Sequence, residues 1–311
     1  MIAIVFPGQG SQQAGMGADV ARGSAAARAV FAEADAVLAD AGLPAPLSTL
    51  CWAGPEEALR PTEIAQPALL TASYALYRAA CEVRDLAPAF VAGHSLGEYT
   101  ALVAAGALDF ATALRLVRRR GELMRDAALA HPGAMAAILA LSDEQVAALC
   151  AQAEGVAVAA NLNAPGQVVI SGEAAAVEAV SAAAKAAGGR AIALKVSGPF
   201  HSPLMASAGQ ALAAELDAAE FRPAQPPVVQ NVSARPASAP ADLRAGLAAQ
   251  VTGSVRWHES VQTMLTLGVS ALVECGPGNV LTGLARRALP QVPTYNVNTA
   301  ETLAGLADFA R

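Results

Sequence analysis

The apolar positions fall into short unbroken runs and longer helical stripes. Ile2-Ala3-Ile4-Val5-Phe6 is an apolar run stopped by Pro7 and reads as a first strand. Ala89 to Ala92 is a second, followed by a sharp turn and a helix that opens near Ser95 and closes near Gly106. Between them, helical spacing runs from Ala25 to Ala39 and breaks at Pro44 and Pro46. Pro67 then marks the start of a helix over Ala68–Cys81, with Leu69, Ala72, Leu76 and Ala79 on one face. Asp109 has the character of an N-cap for a helix reaching Asp126. At about 100° per residue, Phe110, Ala113, Leu114, Leu116, Val117, Leu123 and Met124 fill one arc of that helix, and Arg115, Arg118, Arg119, Glu122 and Asp126 the other. Arg120 falls inside the apolar arc.

From residue 133 to 197 the pattern changes. Strands are expected at Ala134–Leu141, Val156–Asn161, Gln167–Ser171 and Arg190–Val196. Helices are expected at Asp143–Ala153, where Ser142 and Gln145 have capping-box spacing, and at Glu173–Ala187, stopped by Gly188-Gly189. The order β-α-β-β-α-β is ferredoxin-like. The remainder alternates again: a helix over Leu204–Ala219, a strand at 226–231, helices near 241–250 and 258–267, a strand at 271–274, a helix to Arg287, a strand at Thr294–Val297 and a last helix. The expected fold is therefore α/β. Residues 1–130 and 198–311 would form a large α/β-hydrolase-like subdomain with a mostly parallel sheet, and residues 131–197 an inserted ferredoxin-like small subdomain. An insertion of this kind would wall one side of a cleft.

Composition narrows the function classes. Of 311 residues, 54% are apolar, and much of that is alanine, so helices should pack closely. A mean hydropathy of +0.40 raises the possibility of a membrane protein. No charge-free run approaches the roughly 20 apolar residues a spanning helix needs, so no membrane association is expected. The start of the chain lacks a signal-peptide pattern. A net charge of −6 without long runs of one sign argues against nucleic acid as a partner. Cys51, Cys81, Cys150 and Cys275 lack metal or redox spacing and suit a reduced, cytoplasmic protein.

Three stretches carry candidate chemistry. Gly93-His94-Ser95-Leu96-Gly97 fits the nucleophile elbow G-x-S-x-G, which presents a serine at a helix N-terminus where negative charge is favoured; a plain turn with a capping serine also fits. Such a serine needs a base. Of the four histidines, His94 adjoins Ser95, so its side chain should diverge from the hydroxyl while still lining the site. His131 precedes Pro132 at the hinge into the insertion, and His258 follows Trp257 at a helix start. His201, in Ser197-Gly198-Pro199-Phe200-His201-Ser202-Pro203, is on a braced loop and is the chosen partner of Ser95. No acid between Ser95 and His201 stands at an obvious main-sheet strand end, so a neutral group, such as a backbone carbonyl, should orient the imidazole. Arg120 requires either a buried partner or an anionic ligand. Arg118 and Arg119 read as solvated surface. Asn161-Leu162-Asn163, between the two middle strands of the insertion, reads as turn formers or as ligand donors.

Taken together, Phe6-Pro7-Gly8-Gln9-Gly10-Ser11-Gln12, Gly93 to Tyr99, Arg119-Arg120-Gly121, Asn161-Leu162-Asn163 with Pro165-Gly166-Gln167, and Gly198-Pro199-Phe200-His201-Ser202 carry a resemblance. The chain resembles the malonyl-CoA:acyl carrier protein transacylase family of bacterial type II fatty acid synthesis, which is related to polyketide synthase acyltransferases. The five matches fall in order over essentially the whole length. The resemblance implies catalytic Ser95 and His201, and a substrate site formed by Arg120, Gln9, Leu96, His94, Asn163, Phe200 and Gln250. In it, Arg120 takes the malonyl carboxylate, the N–H groups of Gln9 and Leu96 hold the oxyanion, and the carbonyl of Gln250 orients His201. Leu96 and Phe200 match residues that accompany malonyl preference. It implies no cofactor, since the phosphopantetheine belongs to the partner acyl carrier protein, and a monomer that also binds malonyl-CoA or coenzyme A. Carrier-protein docking would need a basic patch drawn from Arg118, Arg119, Lys185, Arg190, Lys195, Arg286 and Arg287. A stand-alone polyketide-type or malonate-decarboxylase-type transferase, or a serine thioesterase or other hydrolase, are the alternative functions.

Overall fold

The computed structural model describes residues 1–309. Its strands are β1 (Ile2–Phe6), β2 (Phe90–Gly93), β3 (Ala134–Leu139), β4 (Ala157–Ala164), β5 (Gln167–Gly172), β6 (Arg190–Ala193), β7 (Val228–Val229), β8 (Pro236–Ala237), β9 (Ala271–Cys275) and β10 (Thr294–Val297). The helices of the first half are α1 (Ala18–Gly23), α2 (Ala25–Val37), α3 (Leu47–Ala53), α4 (Thr62–Val83), α5 (Gly97–Ala104) and α6 (Phe110–Ala130). Those of the second half are α7 (Asp143–Gln152), α8 (Ala174–Ala186), α9 (Ala206–Ala218), α10 (Pro240–Gln250), α11 (Trp257–Thr266), α12 (Val280–Ala288) and α13 (Ala300–Gly305).

Six strands form the main sheet in the order β10-β9-β1-β2-β7-β8, parallel except for the edge strand β8. The strand period of two explains why helices cover both faces. Ile4 and Phe6 of β1 enter a core with residues of α2, α4, α5 and α6, whereas Ala3 and Val5 point the other way into a core with α11 and α12. The second sheet is antiparallel, in the order β4-β5-β3-β6, which is the ferredoxin-like arrangement. Ala136 and Ile138 of β3 and Val168 and Ile170 of β5 pack with Val146 of α7 and Val177 of α8. Their opposite-facing neighbours Met135 and Val169 join the large core of the first sheet, so one face of the small sheet is turned onto the rest of the molecule.

Several sequence expectations need correction. Pro67 does not start a helix; α4 begins five residues earlier at Thr62 and carries Pro67 inside it. A proline there has no N–H for the carbonyl four residues back, Glu63. The Arg118 guanidinium supplies that donor, Nη1 to Glu63 O at 2.8 Å, and also reaches Ala41 O at 3.2 Å. Arg118 is therefore drawn inward rather than solvated, while Arg119 stays exposed beside Glu215 and Glu122. Asn161 and Asn163 do not lie between strands but inside β4, where the pairing with β5 slips at Ala159/Asn161 and at Leu162/Ala164. The strand expected to reach Leu141 stops at Leu139, the one expected to reach Val196 at Ala193, and the 226–231 strand reduces to Val228–Val229. Helices α1 and α3 and strand β8 have no counterpart in the sequence reading, being too short to show a period.

Candidate active site

The elbow forms because β2 must turn directly into α5 beneath the loop that follows β1. Ser95 sits in that turn with φ +50°, in the left-handed region. A Cβ on Gly93 would fall 1.9 Å from the carbonyl of Gly97, and one on Gly97 would fall 2.2 Å from Phe6 O. Only glycine permits strand, turn and neighbouring loop to approach so closely. Beyond the turn, the N–H groups of Gly97, Glu98 and Tyr99 bond back to His94 O, Ser95 O and Leu96 O. The N–H groups of Leu96 and of Gln9 find no acceptor among the described residues; Leu96 follows the serine in the chain, and Gln9 lines the same cavity as Ser95.

Ser95 Oγ lies 2.7 Å from His201 Nε2. The other ring nitrogen, Nδ1, lies 2.9 Å from Gln250 O and 3.2 Å from Gly253 O, so it carries the proton and leaves Nε2 as the acceptor. Two carbonyls thus orient the imidazole where many serine enzymes use a carboxylate. His201 is buried, with φ +57°. Burial, and then the positive charge of Arg120, push its pKa down to about 3, so it is neutral and available as a base at any ordinary pH.

Arg120 is 1% exposed. Its Nη1 donates to Gln66 Oε1 at 2.7 Å, and its Nη2 to Gln250 Oε1 at 3.0 Å and to Ser95 Oγ at 3.2 Å. Every one of these acceptors is neutral, and its Nε has no hydrogen-bond partner among the described residues. The guanidinium also lies 5.8 Å from the centre of the Tyr99 ring. Gln66 Nε2 in turn donates to Thr62 Oγ1 (2.9 Å), and Thr62 Oγ1 to Gln9 Oε1 (2.9 Å), which ties the β1 loop to Arg120. On the far side, Glu98 accepts from Gln250 Nε2 at 2.8 Å and from Asn231 N at 3.0 Å. Burial raises the Glu98 pKa to about 7 against these bonds and the Arg120 charge.

A cavity of about 180 Å³ opens onto Ser95, His201 and Arg120. Gln9, His94 and Asn161 supply polar walls, Met124, Met135 and Phe200 apolar ones, and Arg60 and Lys195 also line it. His94 diverges from the hydroxyl, as its position demands: its Nε2 lies 2.8 Å from Asn163 Oδ1 and its ring 5.8 Å from that of Trp257. Asn163 therefore faces His94 and lines a second, larger cavity of about 480 Å³ beside α11 and α12, and it is Asn161 that lines the cavity holding Ser95. Leu96 is buried at the start of α5. Of the basic residues put forward for docking, Lys195 alone lines the Ser95 cavity; Arg287 bonds Gln167 and Arg286 bonds Thr294.

Sequence reasoning passed over Thr62, Gln66, Glu98, Asn231 and Gly253. The available signal was a polar residue inside an apolar window, as in Ala65-Gln66-Pro67-Ala68 and Val228-Val229-Gln230-Asn231.

Known proteins resemble this chain over nearly its whole length. Residues 3–307 match the family model described as the acyl transferase domain. The chain is 46% identical over 310 residues to a malonyl CoA-acyl carrier protein transacylase of Escherichia coli K12, covering 99% of each, and 45% identical over 306 residues to that of Bacillus subtilis 168, covering 97% of this chain and 95% of the other. A crystal structure of an acyl-carrier-protein S-malonyltransferase from Burkholderia pseudomallei superposes with a TM-score of 0.94 at 42% identity, covering 99% of each chain. A malonyl-transacylase solved in complex with its type II polyketide acyl-carrier protein superposes with a TM-score of 0.93 at 43% identity, again over 99% of each.

Proposed function

The chain belongs to the acyl transferase domain family, and from that membership we propose that it moves a malonyl group from coenzyme A to the phosphopantetheine thiol of an acyl carrier protein, in fatty acid biosynthesis. The observation that carries the malonyl assignment is a buried guanidinium with Nη2 3.2 Å from the serine hydroxyl. A group bound there has its acyl carbon at Ser95 and an anionic end at Arg120. A guanidinium suits that end because its planar fork gives a carboxylate two parallel hydrogen bonds.

The geometry of Ser95, His201 and Arg120 supports the following course of reaction. His201 Nε2 takes the Ser95 proton as Oγ attacks the thioester carbon. The N–H groups of Gln9 and Leu96 receive the oxyanion. The tetrahedral species collapses with loss of the coenzyme A thiolate, which takes up from His201 the proton that came from Ser95, and a malonyl-serine ester remains. The carrier's thiol then attacks that ester, giving its proton to His201, and Ser95 regains it as the second thioester forms. Nucleophile, base and acid are all side chains of this chain, so the cycle asks for no cofactor. The four cysteines are free thiols, which fits a cytoplasmic setting. The negative net charge speaks against nucleic acid as a partner.

Mass spectrometry after mixing with malonyl-CoA tests the reading. A malonyl adduct that maps to Ser95, persists without an acceptor thiol and is discharged by acyl carrier protein is expected. Rapid release of free malonate with no adduct would make the protein a hydrolase instead.

A further inference from the structure

Asn231 has no role in the chemistry above, yet its carboxamide bridges the nucleophile turn. It stands two residues past the end of β7, and the parallel register Val91↔Val228 and Ala92↔Val229 carries it alongside the Gly93–Ser95 turn. Its side chain is fully buried. Nδ2 donates to Gly93 O at 2.6 Å, and Oδ1 accepts from Ser95 N at 2.7 Å. One amide therefore holds the peptide groups on both sides of His94. Its backbone is fixed as well: N donates to Glu98 Oε2 at 3.0 Å and O accepts from Arg256 N at 3.0 Å. All four polar groups of the residue are thus committed, two of them to the turn that displays the serine.

Two consequences follow for Ser95. A non-glycine residue at φ +50° persists only where its surroundings over-determine it. Asn231 on one side, with Gln250 Nε2 on Ser95 O at 3.1 Å on the other, does this. Second, the Ser95 N–H already has an acceptor, so it is withheld from the acyl oxygen, whereas the N–H groups of Leu96 and Gln9 have no acceptor among the described residues.

We propose that Asn231 is a positioning residue for the nucleophile: it clamps Gly93 O and Ser95 N–H so that Oγ is aimed at His201 and the oxyanion is directed to the Leu96 and Gln9 amides. The inference rests on Ser95 being the nucleophile. It concerns orientation, so the rate of acylation should suffer and the binding of malonyl-CoA should not.

The experiment is single-turnover acylation by malonyl-CoA, quenched and read by mass spectrometry at Ser95, with melting temperature and folded fraction measured in parallel. Asn231→Ala is expected to slow acylation about 100-fold per folded molecule, with KM for malonyl-CoA little changed. Asn231→Asp gives a readout that a merely structural role would not move. Its neutral carboxyl can donate O–H to Gly93 O and accept from Ser95 N–H, and its ionised form can only accept. The variant's rate relative to wild type should therefore rise as pH falls from about 9 to about 5, the range in which a buried carboxyl titrates. Wild-type acylation by folded Asn231→Ala overturns the proposal. If that variant does not fold, a ratio for Asn231→Asp that stays flat with pH overturns it. Failure of the wild-type protein to acylate at Ser95 would instead overturn the assigned function.

Discussion

At the scale of single residues, His201 and Arg120 are electrically coupled. Arg120 is the second cause, after burial, of the low basicity of His201. A base works only while unprotonated, and the depressed pKa keeps His201 in that form well below the 6.5 of an ordinary imidazole. The acid limb of kcat/KM assigned to His201 is thus expected far below that value, and a limb near 6.5 in a pH–rate profile would show that the imidazole is not so depressed. A substrate carboxylate on Arg120 offsets its charge, so His201 should be more basic in the malonyl complex than in the free enzyme. The acid limb of kcat for malonyl-CoA should then lie at higher pH than that of kcat/KM, and acetyl-CoA should show no such separation. Arg120→Ala should reduce malonyl transfer by at least about 100-fold, the scale of a lost charge-assisted contact of about 3 kcal/mol, and acetyl transfer far less. Equal loss with both acyl groups in a kcat/KM comparison would remove the carboxylate role. Ser95, His201 and Arg120 were legible in the sequence because a nucleophile, a base on a braced loop and a cation in an apolar arc are each unusual where they stand. Asn231, Gln66 and Glu98 were not, because a lone polar residue in an apolar stretch looks the same whether it caps a turn or closes a network 130 residues away.

Among the elements, α4 and α6 decide where Arg120 stands. Gly121 lies at their contact: a Cβ there would fall 2.5 Å from Glu63 Cα and 2.9 Å from Thr62 O. Both are backbone atoms near the start of α4, and neither can swing aside. Gly121→Ala should therefore force the helices apart at the residue next to Arg120. Overpacking of this kind costs about 1–3 kcal/mol, and misplacement of the guanidinium should slow malonyl transfer well beyond what the lost stability explains. Thermal melting beside kcat measures both, and unchanged kcat would show that the helices are not the scaffold of Arg120. Arg118, one turn closer to the start of α6, donates to the carbonyl that Pro67 leaves open, and Arg118→Ala should cost about 1–3 kcal/mol by exposing that want of a donor. Helix α6 was legible because its period of apolar positions is long. The start of α4 was not, because Pro67 reads locally as a first helical residue, and the donor that lets the helix run through it comes from a residue 51 positions later.

For the molecule as a whole, the edge strand β4 of the small sheet is tied to the segment that follows α10. Val255 N donates to Ala160 O and Val255 O accepts from Leu162 N, both at 2.9 Å, and Ser254 Oγ donates to Ala159 O at 2.6 Å. His258 bonds Leu162 O and lies 3.3 Å from Asp143 Oδ2. The same segment gives His201 its Gly253 carbonyl. Ser254→Ala should cost about 1 kcal/mol, the worth of one such bond, and lower the melting temperature by a few degrees; an unchanged melting curve would show that the seam bears no load. The α/β class and the ferredoxin-like order were legible as patterns of strands and helices, but a seam made of main-chain bonds to an edge strand leaves no mark in side-chain periodicity. Gln250 stands at the head of this segment and acts through three separate atoms. Its O holds His201, its Oε1 holds Arg120, and its Nε2 holds Ser95 O and Glu98. Its surroundings therefore form one cooperative unit, in which the free-energy losses of separate substitutions do not sum. In a double-mutant cycle, Gln250→Ala combined with Arg120→Ala should cost markedly less than the two single losses added, because each removes what the other was placed to support.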